Sequence, residues 1–70
     1  MNNLTVGKKI KLLRVFLDLN QSAFADKIGE HMLTVYKFEA GKKEPTDEQI
    51  KRIETIFGYH LDSIVPPRPY

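Results

Sequence analysis

Apolar residues along the chain recur at the spacing of helices and not in the strict alternation of strands. Val6, Ile10, Leu13 and Leu17 form one stripe with Lys8, Lys9 and Lys11 off it, which predicts a first helix capped by Thr5 and running through Asp18. Leu12, Val15 and Phe16 fall outside that stripe. Asn20 is a good N-cap for a second helix, Gln21 to about Ile28. Leu19 before the cap and Phe24 on the first turn make a hydrophobic staple that fixes the entry angle. Ala23, Phe24, Ala25 and Ile28 give this helix a compact inner face, and Gly29 supplies the left-handed residue that ends it.

A third helix, from about Met32 to Ala40 and stopped by Gly41, turns Val35 and Phe38 inward. Met32, Leu33, Tyr36 and Lys37 then point largely the other way. Gly41-Lys42-Lys43-Glu44-Pro45 reads as a loop, and Thr46-Asp47-Glu48-Gln49 as a capping box with two acids on the positive helix end. A fourth helix to about Phe57 aims Ile50, Ile53 and Phe57 at the core, and Gly58 ends it. A fifth, Leu61 to Val65, packs Leu61 and Ile64 back down before Pro66, Pro67 and Pro69 forbid further helix. The expectation is an all-α fold of five short helices over residues 1–65, followed by a Pro-rich extended tail over 66–70 that is either functional or a frayed end.

Composition narrows the function. At 70 residues the chain is expected to be one domain. A domain of that size buries only about 60% of its unfolded surface, which leaves little room for a deep pocket. There are no cysteines, hence no disulfide framework, thiol nucleophile or cysteine-based zinc site. No apolar run approaches the roughly 18 residues of a membrane helix and no signal-peptide pattern opens the sequence, so a cytoplasmic protein with no membrane partner is expected. His31 and His60 are the only histidines, both at helix starts where a Ser or Thr cap is usual, and neither has companions for a metal site. Ala40-Gly41-Lys42-Lys43 lacks the first glycine and the Ser/Thr of a P-loop. Neither a carboxylate pair nor a nucleophile–base set stands out, so no enzyme activity, cofactor or metal is expected. The net charge of +2 is unevenly placed: residues 1–43 hold eight Lys/Arg against four Asp/Glu, and residues 44–70 hold three against five. A basic front half suits a phosphate-binding surface, and it also suits an ordinary solvated one.

Helix, then helix–glycine turn–helix, is the arrangement of a helix-turn-helix. Leu19-Asn20-Gln21-Ser22-Ala23-Phe24-Ala25, Ile28-Gly29, Thr34-Val35, Phe38-Glu39, Gly41 and Pro45, with Gly58 and Leu61-Asp62-Ser63-Ile64 at the end, resemble the Cro/CI (Xre-type) helix-turn-helix family. The resemblance covers about residues 4–65 and implies a lambda-repressor-like domain that regulates transcription. It also implies a structural ion pair between Arg14 on the first helix and Glu39 on the third, locking the third helix in place. Asn20 and Gln21 match positions that meet the DNA backbone, and Lys42 and Lys43 sit where the family's loop meets phosphates. For Asn20 the alternative is a plain cap, and for the lysines a solvated loop.

Base readout is where this chain departs from the family. The reading positions fall on Met32, Leu33, Tyr36 and Lys37, with His31 at the cap. Direct readout prefers Arg to guanine and Gln or Asn to adenine, each good pair giving about 1–3 kcal/mol of discrimination. Met and Leu offer only apolar contact with a thymine methyl, Tyr36 one hydrogen bond, and Lys37 a reach to guanine or phosphate. The same side chains suit a protein partner, since Met and aromatic residues are enriched in interface cores. Glu30, just before His31, would face any phosphate brought there. Leu12, Val15 and Phe16 add a second apolar patch or a dimer contact. Two readings of the partner follow. In one, the chain is a temperate-phage type switch regulator (an antirepressor or modulator) that binds another DNA-binding repressor through helix three. In the other, it is a Cro-like homodimer on double-stranded operator DNA. A plain interaction module, antitoxin-like, is a third.

Overall fold

Residues 4–64 are described by a computed structural model, in which four α-helices and one 3-10 turn follow one another: α1 (Val6–Phe16), α2 (Gln21–Ile28), α3 (Met32–Glu39), α4 (Asp47–Phe57) and the turn Leu61–Ser63. No strand occurs among the described residues. Val65 and the Pro-rich segment 66–70 lie outside them. Each α-helix begins on a side-chain cap. Thr5 Oγ1 accepts from Lys8 N–H, Asn20 Oδ1 from Ala23 N–H and His31 Nδ1 from Leu33 N–H. Thr46 and Gln49 close a reciprocal capping box.

Two boundaries differ from the sequence reading, each for a local reason. α1 stops at Phe16, because Asp18 adopts the left-handed conformation (φ 59°). Asp18 N–H then donates to Val15 O (2.9 Å) and Leu19 N–H to Arg14 O (3.1 Å), the paired bonds of a Schellman turn. That turn swings the chain from α1 into α2. The expected fifth helix is instead a single 3-10 turn, held by Ser63 N–H to His60 O (3.0 Å) and Ile64 N–H to Leu61 O (3.1 Å). Three residues are too few to offset α-helix nucleation, and the tighter i→i+3 bonds suffice. His60 makes no side-chain cap there; Glu54 Oε2, reaching from α4, accepts from Leu61 N–H at 2.8 Å.

The core draws on every element. Ile10 and Leu13 come from α1, Phe24, Ala25 and Ile28 from α2, Val35 and Phe38 from α3, Ile53 from α4 and Leu61 from the turn. Phe24 stacks on Phe57 with ring centroids 4.9 Å apart, tying α2 to α4. Leu17, Leu19, Ile50 and Ile64 pack against this cluster from its edges. No buried side-chain nitrogen or oxygen among the described residues lacks a hydrogen-bond partner.

Candidate functional site

The position of α3 is fixed from its inner side. Gly7, in the first turn of α1, lies against the backbone of Phe38: a Cβ at residue 7 would overlap the Phe38 carbonyl oxygen. Glycine there lets the two helices approach at backbone distance. Two turns further along α1, Arg14 Nε donates to Glu39 Oε2 (2.7 Å) and Nη2 donates to Glu39 Oε1 (3.0 Å). Its Nη1 donates to Leu19 O at 2.8 Å, so one guanidinium joins α1, the α1–α2 turn and α3. The Arg14 and Glu39 side chains are only 14% and 5% exposed. The hydrogen bonds that Arg14 donates to Glu39 hold the Arg14 pKa above its ordinary value, against the opposing effect of burial. A raised pKa on a cation means its contribution to stability is present at neutral pH, below the ordinary arginine value, and is lost as pH climbs through the raised one.

At the start of α3 the turn is also tied down. Gly29 is left-handed (φ 71°), and Glu30 N–H donates to Ala25 O. The Glu30 carboxylate points back to α4, accepting from Gln49 Nε2 (3.1 Å) and pairing with Arg52 Nη1 (3.4 Å). Its charge is therefore answered inside the molecule. After α3, Gly41 is left-handed (φ 74°), and both Lys42 N–H and Lys43 N–H donate to Lys37 O. The loop folds onto the helix end, and Lys42 Nζ comes to lie 5.9 Å from the centroid of the Tyr36 ring.

The outer side of α3 carries Met32, Leu33, Tyr36 and Lys37, all exposed and all within an arc of roughly 140° at 3.6 residues per turn. Met32 is 49% exposed, Leu33 50% and Tyr36 43%. Of the four residues expected at phosphates, Asn20 is exposed and its Oδ1 is used as the α2 cap. Gln21 Nε2 donates to Glu39 Oε1 (3.2 Å), which draws its amide toward the ion pair. Lys42 rests over Tyr36, and Lys43 is exposed. At the expected second apolar patch the exposed residues are not all those the sequence singles out. Val15 (58%) and Phe16 (70%) are exposed, whereas Leu12 is half-buried, and Tyr59 joins by meeting Phe16 edge-on at 5.9 Å. Sequence reasoning missed Gly7, the Gln21–Glu39 bond, the Glu30–Arg52 pair and Tyr59. Only Gly7 left a local signal, lying three residues before Ile10 on the inner stripe.

Among the described residues no group of three or more His, Asp or Glu side chains could hold a metal ion, and no helix is long and apolar enough to cross a membrane. The family model described as Helix-turn-helix matches residues 10–64. No curated protein matches the chain. Solved structures do: hydroxypropylphosphonic acid epoxidase from S. wedmorenis is 28% identical at a TM-score of 0.74, over 89% of this chain and 33% of that one. The Fe(II) form of the same enzyme with the alternative substrate (S)-1-HPP is 26% identical at a TM-score of 0.76, over 96% of this chain and 35% of that one. The chain thus spans about a third of the length of the solved chains it matches.

Proposed function

The chain belongs to the Cro/CI (Xre-type) helix-turn-helix family, a domain that suggests a DNA-binding transcription regulator, and from that premise we propose that it regulates a genetic switch mainly through a protein partner. In this reading the partner is another DNA-binding repressor of a temperate-phage type switch in the bacterial cytoplasm. It docks on the outer face of α3, and its hold on DNA changes as a result. The observation that supports this most is the joint exposure of Met32, Leu33 and Tyr36 on one face of α3. Three apolar side chains left half in water by a domain with few to spare have no role in its own core. They also offer no bidentate group to a base edge. The phosphate-facing positions lend weight too, since the Gln21 amide donates to Glu39 and Lys42 lies over Tyr36.

A second reading, a Cro-like homodimer on operator DNA, is favoured by Lys37, Lys42 and Lys43 lying exposed at one end of α3. Two copies would set their third helices about 34–36 Å apart, and affinity would fall steeply with salt. Val15 and Phe16 would then be candidates for the contact between copies.

A gel shift separates the two. The purified protein is run against DNA from its own gene neighbourhood, alone and with the neighbouring repressor, at two salt concentrations. No shift alone, with a lost or altered repressor shift, is the expected result. A sequence-specific, salt-sensitive shift by this protein alone would replace the partner reading with the operator one.

A further inference from the structure

The apolar face of α3 has a basic border that the molecule does not neutralise. Lys37, Lys42 and Lys43 are all exposed, and the ion pairs among the described residues use Lys9, Arg14, Arg52 and His60 but none of these three. The acids that flank α3 in sequence are committed inward: Glu39 to Arg14 and Gln21, and Glu30 to Gln49 and Arg52. Glu44 is the one exposed acid in the loop after α3, against Lys42 and Lys43. The Lys42 cation over the Tyr36 ring brings positive charge to the edge of the apolar cluster itself.

From this charge pattern we propose that α3 is shaped for a protein surface whose apolar centre is bordered by carboxylates. The proposal rests on the reading that α3 docks a protein, and it says which face of that protein is engaged. A repressor's own phosphate-binding face is basic and would meet Lys37, Lys42 and Lys43 with like charge. The partner therefore engages through a different, acidic surface. Duplex DNA would pair with the three lysines but would leave Met32 and Leu33 against base edges with nothing to hydrogen-bond.

The test is an amide-shift titration of the isotope-labelled full chain with three probes. Two are synthetic amphipathic helical peptides sharing one Leu/Met face, flanked by Glu in the first and by Lys in the second. The third is duplex DNA. The Glu-flanked peptide is expected to move the amides of Met32, Leu33, Tyr36 and Lys37. It should bind roughly tenfold or more tightly than the Lys-flanked one, since three surface pairs of a few-fold each combine to that. The Lys37→Glu, Lys42→Glu, Lys43→Glu variant should invert the preference while its spectrum stays dispersed. Equal binding of both peptides overturns the acidic border and leaves protein docking standing. Undiminished binding of the Glu-flanked peptide to a Met32→Glu, Tyr36→Glu variant overturns the docking face itself. If neither peptide moves these amides, both ideas fail, and a shift with duplex DNA instead makes α3 a DNA reader.

Discussion

On its inner side α3 lays Val35 and Phe38 into the core, meets Gly7 backbone to backbone and closes a two-bonded ion pair with Arg14. On its outer side, half a turn away, Met32, Leu33 and Tyr36 stay half in water and Lys37 pairs with nothing among the described residues. The inner side is determined several times over, by sterics, by burial and by charge. The outer side places none of its side chains in the buried core. Residues of the first kind are fixed by the fold, and those of the second are free to be fixed by something outside it. The difference is testable because the two sides should respond to substitution on different scales.

The largest expected effect is at the ion pair. Glu39→Ala leaves the Arg14 guanidinium, 14% exposed, without its carboxylate. Removing one member of a buried pair should lower stability by about 3 kcal/mol, measured by urea denaturation at neutral pH. Glu39→Gln, which keeps an acceptor for Arg14, should lose less. A loss under about 1 kcal/mol for the alanine variant would put the pair among ordinary surface salt bridges and erase the contrast. Next comes Gly7→Ala. On helix propensity alone alanine should gain about 1 kcal/mol. The overlap with the Phe38 carbonyl oxygen cannot be relieved by a rotamer, because the obstacle is backbone. Overpacking of this kind outweighs the propensity gain, and a net loss of about 2 kcal/mol is expected in thermal melts. A Gly7→Ala protein as stable as the native one would mean that α1 and α3 can part without loss.

A smaller effect, of opposite sign, is expected at Asp18. Gly29 and Gly41 hold the left-handed position after α2 and α3, whereas after α1 an aspartate does (φ 59°). Asp18→Gly should therefore stabilise the domain by about 0.5–1 kcal/mol, since Asp tolerates this conformation at a modest penalty and glycine at none. A loss of stability on that change would show that the Asp18 side chain holds the turn in a way its backbone geometry does not reveal.

These positions also mark what is legible in the sequence. The bounds of α2 and α4 can be read because their signals are local: a cap at one end, a glycine at the other and a 3.6-residue stripe between. The end of α1 cannot, because its left-handed residue is not a glycine. The 3-10 turn at Leu61–Ser63 is misread as a helix because its apolar pair, Leu61 and Ile64, has the spacing that both structures share. Gly7 is only half legible: its place three residues before Ile10 puts it on the inner stripe, but the need for glycine lies in the backbone of a residue 31 positions away. The Arg14–Glu39 pairing comes from family resemblance, not from spacing, which carries no information across two turns. On the candidate site, exposure of Met32, Leu33 and Tyr36 follows from periodicity alone. The diversion of Gln21 to Glu39 does not, because a glutamine at a helix start can swing either way.

The smallest expected change in stability falls on the outer side, and it is the one that sharpens the comparison most. Met32→Glu with Tyr36→Glu adds two carboxylates where two apolar side chains now stand 49% and 43% exposed. Neither side chain fills core volume, so no cavity forms, and surface substitutions away from such features usually stay within about 0.5 kcal/mol. Met32 begins α3, where a new acid is favoured by the helix dipole; Tyr36 lies nearer the other end, where an acid is mildly disfavoured, and the two tendencies largely cancel. Lys42 lies close enough to answer part of the charge added at residue 36, while its contact with the Tyr36 ring is given up. The urea midpoint should therefore hardly move. A loss of 2 kcal/mol or more would mean that these side chains pack for the fold after all, and that the outer face of α3 is not free to serve a partner.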